Sequence, residues 1–166
     1  MKRKQLSFLV LPVVLSVLAS MAMAADPRHA SIEGTYKLVS RTSPDSLVKT
    51  APDVFGLLTF TKTYRNLNVA WKDADGKVFS YSVISRYTLT DSAYSETRVY
   101  SIINDEIGGT GLKYDFETTT KTAPVAFENG KTIIKMPFDP VSLVFEGDKA
   151  IATGDAGFID AWFKIR

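Results

Sequence analysis

From Gly34 onward the chain alternates apolar and polar residues with a period of two. The runs are five to ten residues long, rich in β-branched and aromatic side chains, and bounded by Gly, Pro, Asp and Asn. Alternation on that scale dominates over helical periodicity and predicts strands. They are expected at Gly34 to Ser40, Phe55 to Thr61, Leu67 to Lys72, Val78 to Thr90, Tyr94 to Ile103, Leu112 to Thr118, Pro124 to Phe127, Lys131 to Met136, Ser142 to Glu146, Ala150 to Thr153 and Phe158 to Ile165, some of them parts of one bent strand. Asp75-Gly76, Asn129-Gly130 and Gly147-Asp148 carry the residues that tight hairpins between twisted strands require, so neighbours should pair antiparallel. Sequential hairpins point to an all-β, up-and-down meander of about eight to ten strands. Closing it into a barrel would remove its exposed edges, the alternative being an open sandwich. The stretch Ser43 to Pro52 reads as an Ω-type loop over one end, placed to act as a lid.

The first residues follow a different pattern. Lys2, Arg3 and Lys4 precede an apolar run from Leu6 to Leu18, and Ala22-Met23-Ala24 supplies a small-x-small site. A basic region, an apolar core and such a site make a signal peptide ending near Ala24, against the competing reading of a retained membrane anchor. The expected organisation is a leader over 1–24, a linker over 25–33 and one β-barrel domain over 34–166, exported to the periplasm or beyond, with no membrane span in the mature form. The leader also alters the charge. Removing its three cations turns the formal +2 of the whole chain into about −1 for residues 25–166. The remaining Lys and Arg form no basic run, so nucleic acid is not an expected partner.

The chain has no cysteine and a single histidine, His29, in the linker. Thiolate zinc sites, iron-sulfur clusters, lipid attachment through cysteine and disulfides are excluded, and no Ser-His-Asp relay can be assembled in the barrel. No cofactor or metal is expected. Asp73-Ala74-Asp75-Gly76 opens like a calcium loop, but Ile84 stands where the bidentate Glu belongs. Gly108-Gly109-Thr110-Gly111 lacks dinucleotide-binding spacing.

Candidate site residues come from the faces of two strands. Phe79, Tyr81, Val83 and Tyr87 share one face, predicted to point inward, either lining a cavity or filling the core. On the next strand Tyr94, Glu96, Arg98 and Tyr100 share a face that is either part of a small-molecule site or a solvated outer wall. If that face is inward, Glu96 needs a partner such as Arg98, Arg86 or a tyrosine hydroxyl. Phe158, Asp160, Trp162, Lys164 and Arg166 alternate along the last strand. Tyr36, near the start, could meet Trp162, Lys164 or Arg166 and so join the first strand to the last.

The segments Gly34-Thr-Tyr36-Lys-Leu-Val39, Gly56-Leu-Leu-Thr-Phe60, Tyr87-Thr-Leu-Thr followed by Tyr94-Ser-Glu96, and Asp160-Ala-Trp162-Phe-Lys-Ile-Arg166 resemble bacterial lipocalin-like domain proteins. Tyr36 stands where that family usually has Trp, Asp160 stands for its usual Glu, and Arg166 is displaced by two. The resemblance implies a lipocalin-like, calycin-type barrel with a cup for a small apolar or amphipathic molecule. Phe79, Tyr81, Val83, Tyr87, Tyr94, Glu96, Arg98 and Tyr100 are then the candidate ligand contacts, and Tyr36, Asp160 and Trp162 close the barrel. Two other functions fit the same pattern: a barrel enzyme of isomerase or decarboxylase type with Glu96 as general base and Tyr94 or Tyr100 as acid, or an envelope interaction module with a filled barrel.

Overall fold

The computed structural model describes residues 31–165. The leader expected over 1–24, His29 and Arg166 lie outside that range. Twelve strands follow in order: β1 (Gly34–Thr42), β2 (Val48–Lys49), β3 (Val54–Phe60), β4 (Tyr64–Lys72), β5 (Val78–Leu89), β6 (Ala93–Asp105), β7 (Gly111–Asp115), β8 (Thr120–Glu128), β9 (Lys131–Lys135), β10 (Val141–Glu146), β11 (Lys149–Gly154) and β12 (Ile159–Ile165). Ten of them, all but β2 and β7, form one antiparallel sheet that closes on itself where β12 returns to β1. Closure pairs the first and last strands over seven positions, from Thr35 opposite Ile165 to Thr42 opposite Ile159.

Alternation builds the wall. Along β11 exposed and buried residues alternate without a break, and in β3 Val54, Leu58 and Phe60 are buried while Phe55 and Leu57 face out. The β8–β9 hairpin turns on Asn129 and Gly130, both at positive φ (52° and 76°), which matches the twist of the flanking strands. The expected loop at Ser43 to Pro52 is partly ordered as strand: Val48 and Lys49 fold back to pair with Thr42 and Arg41.

Two irregularities interrupt the alternation. The β1–β12 register shifts between Leu38 and Ser40, so that Arg41, which strict alternation would send outward, is buried inside. The β5–β6 register shifts between Ile84 and Ser85, with Val99 as the extra residue. Glu96 and Arg98 keep the inner face before the shift, and Tyr100 falls on the outer face after it.

The interior is divided. At the end where β1 begins, the barrel is filled. Phe60 meets Tyr87 and Phe145 edge-to-face at 5.4 and 5.5 Å, and Tyr36 meets Phe145 at 5.6 Å. Ile32, just before β1, is buried against this cluster, and its carbonyl accepts the Tyr36 hydroxyl at 3.2 Å. The other end carries the β1–β3, β4–β5 and β9–β10 connections, and the interior there is open.

Candidate functional site

The open part of the barrel is a cavity of about 220 Å³. Its walls are mainly apolar, from Leu58, Leu67, Val69, Trp71, Phe79, Met136, Val141, Leu143, Ala152, Phe158 and Trp162. Arg41, Arg65, Tyr81, Asp139 and Asp160 interrupt them with polar groups. These belong to two ion-pair systems.

The first joins β1 to β12. Arg41 Nε and Nη2 donate to the two carboxylate oxygens of Asp160, both at 2.7 Å, in a bidentate fork. Both residues are over nine-tenths buried. The guanidinium is sandwiched between Trp71, 3.8 Å from the ring centroid, and Phe158, at 4.5 Å. Gly154 leaves the space that the Phe158 ring occupies. Two aromatic rings cover the guanidinium, while the fork satisfies the donors that face Asp160.

The second system links β4, β5, β6 and the β9–β10 connection. Arg65 Nη1 donates to Glu96 Oε1 at 2.9 Å and Arg65 Nη2 to Asp139 Oδ2 at 3.1 Å. The Tyr94 hydroxyl donates to Glu96 Oε2 at 3.1 Å, and the Tyr81 hydroxyl to Asp139 Oδ1 at 3.1 Å. Arg98 donates to the Tyr81 oxygen at 3.3 Å and lies over the Phe138 ring, 4.4 Å from its centroid. Burial of the Arg65 guanidinium works to lower its pKa, but Glu96 and Asp139 outweigh it and hold the group above its ordinary value. Burial, reinforced by Asp139 for Tyr81 and by Glu96 for Tyr94, pushes both hydroxyls well above the ordinary tyrosine range, so they act as donors.

Among the described residues four buried side-chain polar atoms have no hydrogen-bond partner: Trp162 Nε1, Arg65 Nε, Arg98 Nε and Ser85 Oγ. Two of these, the indole nitrogen and Arg65 Nε, belong to residues that line the cavity. Trp162 is held in place from behind. A Cβ built on Gly56 would lie 2.6 Å from the indole Cη2, so glycine there lets the ring lie flat against β3.

The candidate residues read from sequence separate into three groups. Phe79, Tyr81, Asp160 and Trp162 line the cavity, and Arg98 stands behind Tyr81. Val83, Tyr87, Tyr94, Glu96 and Tyr36 are buried but absent from its lining. Tyr36 sits opposite Lys164, whose Nζ is 5.4 Å from the ring centroid. Tyr100 is corrected: it lies on the outer surface, stacked with Phe116 at 6.2 Å, because the β6 bulge reverses the alternation just before it. The solvated-wall reading of Glu96 is also corrected, since Glu96 is fully buried. Its partners are Arg65 and Tyr94 rather than Arg98 or Arg86, and Arg86 is exposed.

Arg41, Arg65, Trp71 and Asp139 went unread as site residues. Arg65 lies two residues before the strand start expected at Leu67, and Asp139 lies in the Pro137 to Pro140 connection, which alternation cannot orient. A general-base role for Glu96 meets a geometric obstacle: both oxygens are engaged and the residue does not reach the cavity. Among the described residues no group of three or more His, Asp and Glu side chains is placed to hold a metal ion. A wider groove, about 540 Å³, lies against the β1–β3–β4–β5 wall beside Lys37, Phe55, Leu57 and Asn68, and no unpartnered buried polar atom belongs to its lining.

No family model, curated protein or solved structure matches the chain. The closed antiparallel barrel of ten strands is compatible with the lipocalin-like architecture that the sequence resembles, and it carries that resemblance at the level of fold.

Proposed function

We propose that the protein is an exported, lipocalin-like carrier that holds one small, mostly apolar molecule in the open half of the barrel. The observation that carries this reading is a 220 Å³ apolar cavity in whose wall a buried indole N–H stands without an acceptor. A cavity of ~150 Å³ accommodates benzene, so this one suits a ligand of about one substituted ring rather than a long acyl chain. Arg41 is matched by Asp160, and Arg65 lies between Glu96 and Asp139, so the cavity lining itself holds no unpaired cation for a charged ligand. A neutral molecule with a single acceptor, such as a carbonyl, would leave both ion-pair systems intact and reach the Trp162 N–H, which is buried beneath the cavity surface, by parting the side chains that cover it. Trp71 is covered by Arg41 at 3.8 Å and by Phe79 at 4.2 Å, so the ring surface left for a ligand is that of Phe79.

Native mass spectrometry of protein purified from its own exported compartment, before and after denaturation, tests the reading. A defined excess mass lost on unfolding is expected, together with roughly three- to tenfold weaker retention in Trp162→Phe, the equivalent of one hydrogen bond of about 1 kcal/mol. A clean mass, with no binding of small neutral aromatic carbonyl compounds by calorimetry, would sink it.

A further inference from the structure

The barrel wall is not paired evenly all the way round. β6 gives its first half, Ala93 to Thr97, to β8 and its second half, Ser101 to Asp105, to β7. β9 joins β8 only from Val125 onward. Among the described residues β7 is therefore hydrogen-bonded on one side alone, and its other edge presents backbone donors and acceptors to solvent. Proteins usually blunt such an edge with charge, proline or a covering segment, because it is a template for another strand. This short edge carries Lys113 and Asp115 on one face and apolar surface on the other. Leu112, Tyr114 and Phe116 are exposed on its outer face, Phe116 at 71%. Tyr114 and Tyr100 stack on Phe116, each at 6.2 Å.

We propose that this edge is the self-association surface of the protein, where β7 of a second copy adds antiparallel with Tyr114 opposite Tyr114. The sequence of the edge selects both the partner and the register. In that alignment Lys113 faces Asp115 of the second copy, and the symmetry of the pair makes the contact twice. Leu112 meets Phe116 on the outer face, again twice, extending the aromatic stack across the junction. Centring one residue earlier would set Lys113 against Lys113, and centring on Leu112 would set Lys113 against Gly111. Only the Tyr114 register gives every charge on the strand an opposite. The two-fold axis makes the contact self-complementary and closed, so association stops at two. It uses no residue of the cavity lining; Asp115, about half exposed, also lies 3.7 Å from Arg98 Nη1, so the junction would bring a second cation to a carboxylate that already faces one.

Sedimentation velocity on the barrel protein, the Lys113→Asp variant, the Asp115→Lys variant and their equimolar mixture tests the proposal. The unsubstituted protein should dimerise with rising concentration, and each variant alone should associate at least tenfold more weakly, because like charges then face each other at two positions. The mixture should recover the dimer, since positions 113 and 115 again meet opposite charge across the junction. That recovery cannot come from a misfolded variant. In parallel, hydrogen exchange on the unsubstituted protein should show the β7 amides gaining protection as concentration rises. A monomeric unsubstituted protein, undiminished dimers of both variants, a folded mixture that stays monomeric, or concentration-independent exchange in β7 each overturns the proposal.

Discussion

Arg41 shows how much one side chain can depend on a single partner. Its guanidinium is buried, forked to Asp160 and clasped by two aromatic rings. Removing the cation alone leaves a buried carboxylate without its partner, whereas removing both charges leaves a fillable apolar gap. Arg41→Met should therefore cost about 3–5 kcal/mol in urea unfolding, and Arg41→Met with Asp160→Leu should recover most of it. A single variant within 1 kcal/mol of the parent would mean that Asp160 finds water or another donor. Sequence alternation places Asp160 on the face it occupies, but nothing in the local pattern marks Arg41 as its partner. Their meeting depends on closure between strands 119 residues apart.

At the scale of elements, the strands were largely legible because a half-buried wall forces apolar residues to every second position. The starts of β4 and β8, at Tyr64 and Thr120, precede those expected at Leu67 and Pro124, and the errors of face fall where the wall departs from that rule. The β1 bulge turns Arg41 in, and the β6 bulge turns Tyr100 out, each by adding one residue to a period-two count. Neither is announced by a glycine: Val39 and Val99 are the residues at these shifts. A glycine does fix the packing of β3 against β12. With Trp162 Cη2 only 2.6 Å from where a Cβ would stand, Gly56→Ala has to displace the indole. It is expected to lower stability by about 1–3 kcal/mol and to change the near-ultraviolet circular dichroism of the tryptophans. An unchanged spectrum with unchanged stability would show that the ring has room to retreat.

For the molecule as a whole, buried phenols tie stability to pH. Burial first, then the nearby Asp148 charge, pushes Tyr36 up to about 12, and burial with Glu33 pushes Tyr87 up to about 12. Tyr81 and Tyr94 are shifted in the same direction. The unfolded chain releases these protons near the ordinary value of 10.0, so above it the unfolded state binds fewer protons than the folded one. This contribution is fully present below pH 10 and is lost as pH rises from 10 through 12. The urea midpoint should fall steeply across that window, and Tyr36→Phe should flatten the fall; an unaltered slope would place the cost elsewhere.

The division of the interior bears on traffic as well as on stability. With Phe60, Phe145 and Tyr36 packed across one end and Ile32 set against them, the chamber is a cul-de-sac. In the carrier proposed above, whatever enters would leave by the same end. Residence time would then be governed at the open end, where the β1–β3, β4–β5 and β9–β10 connections lie, rather than at the stoppered one.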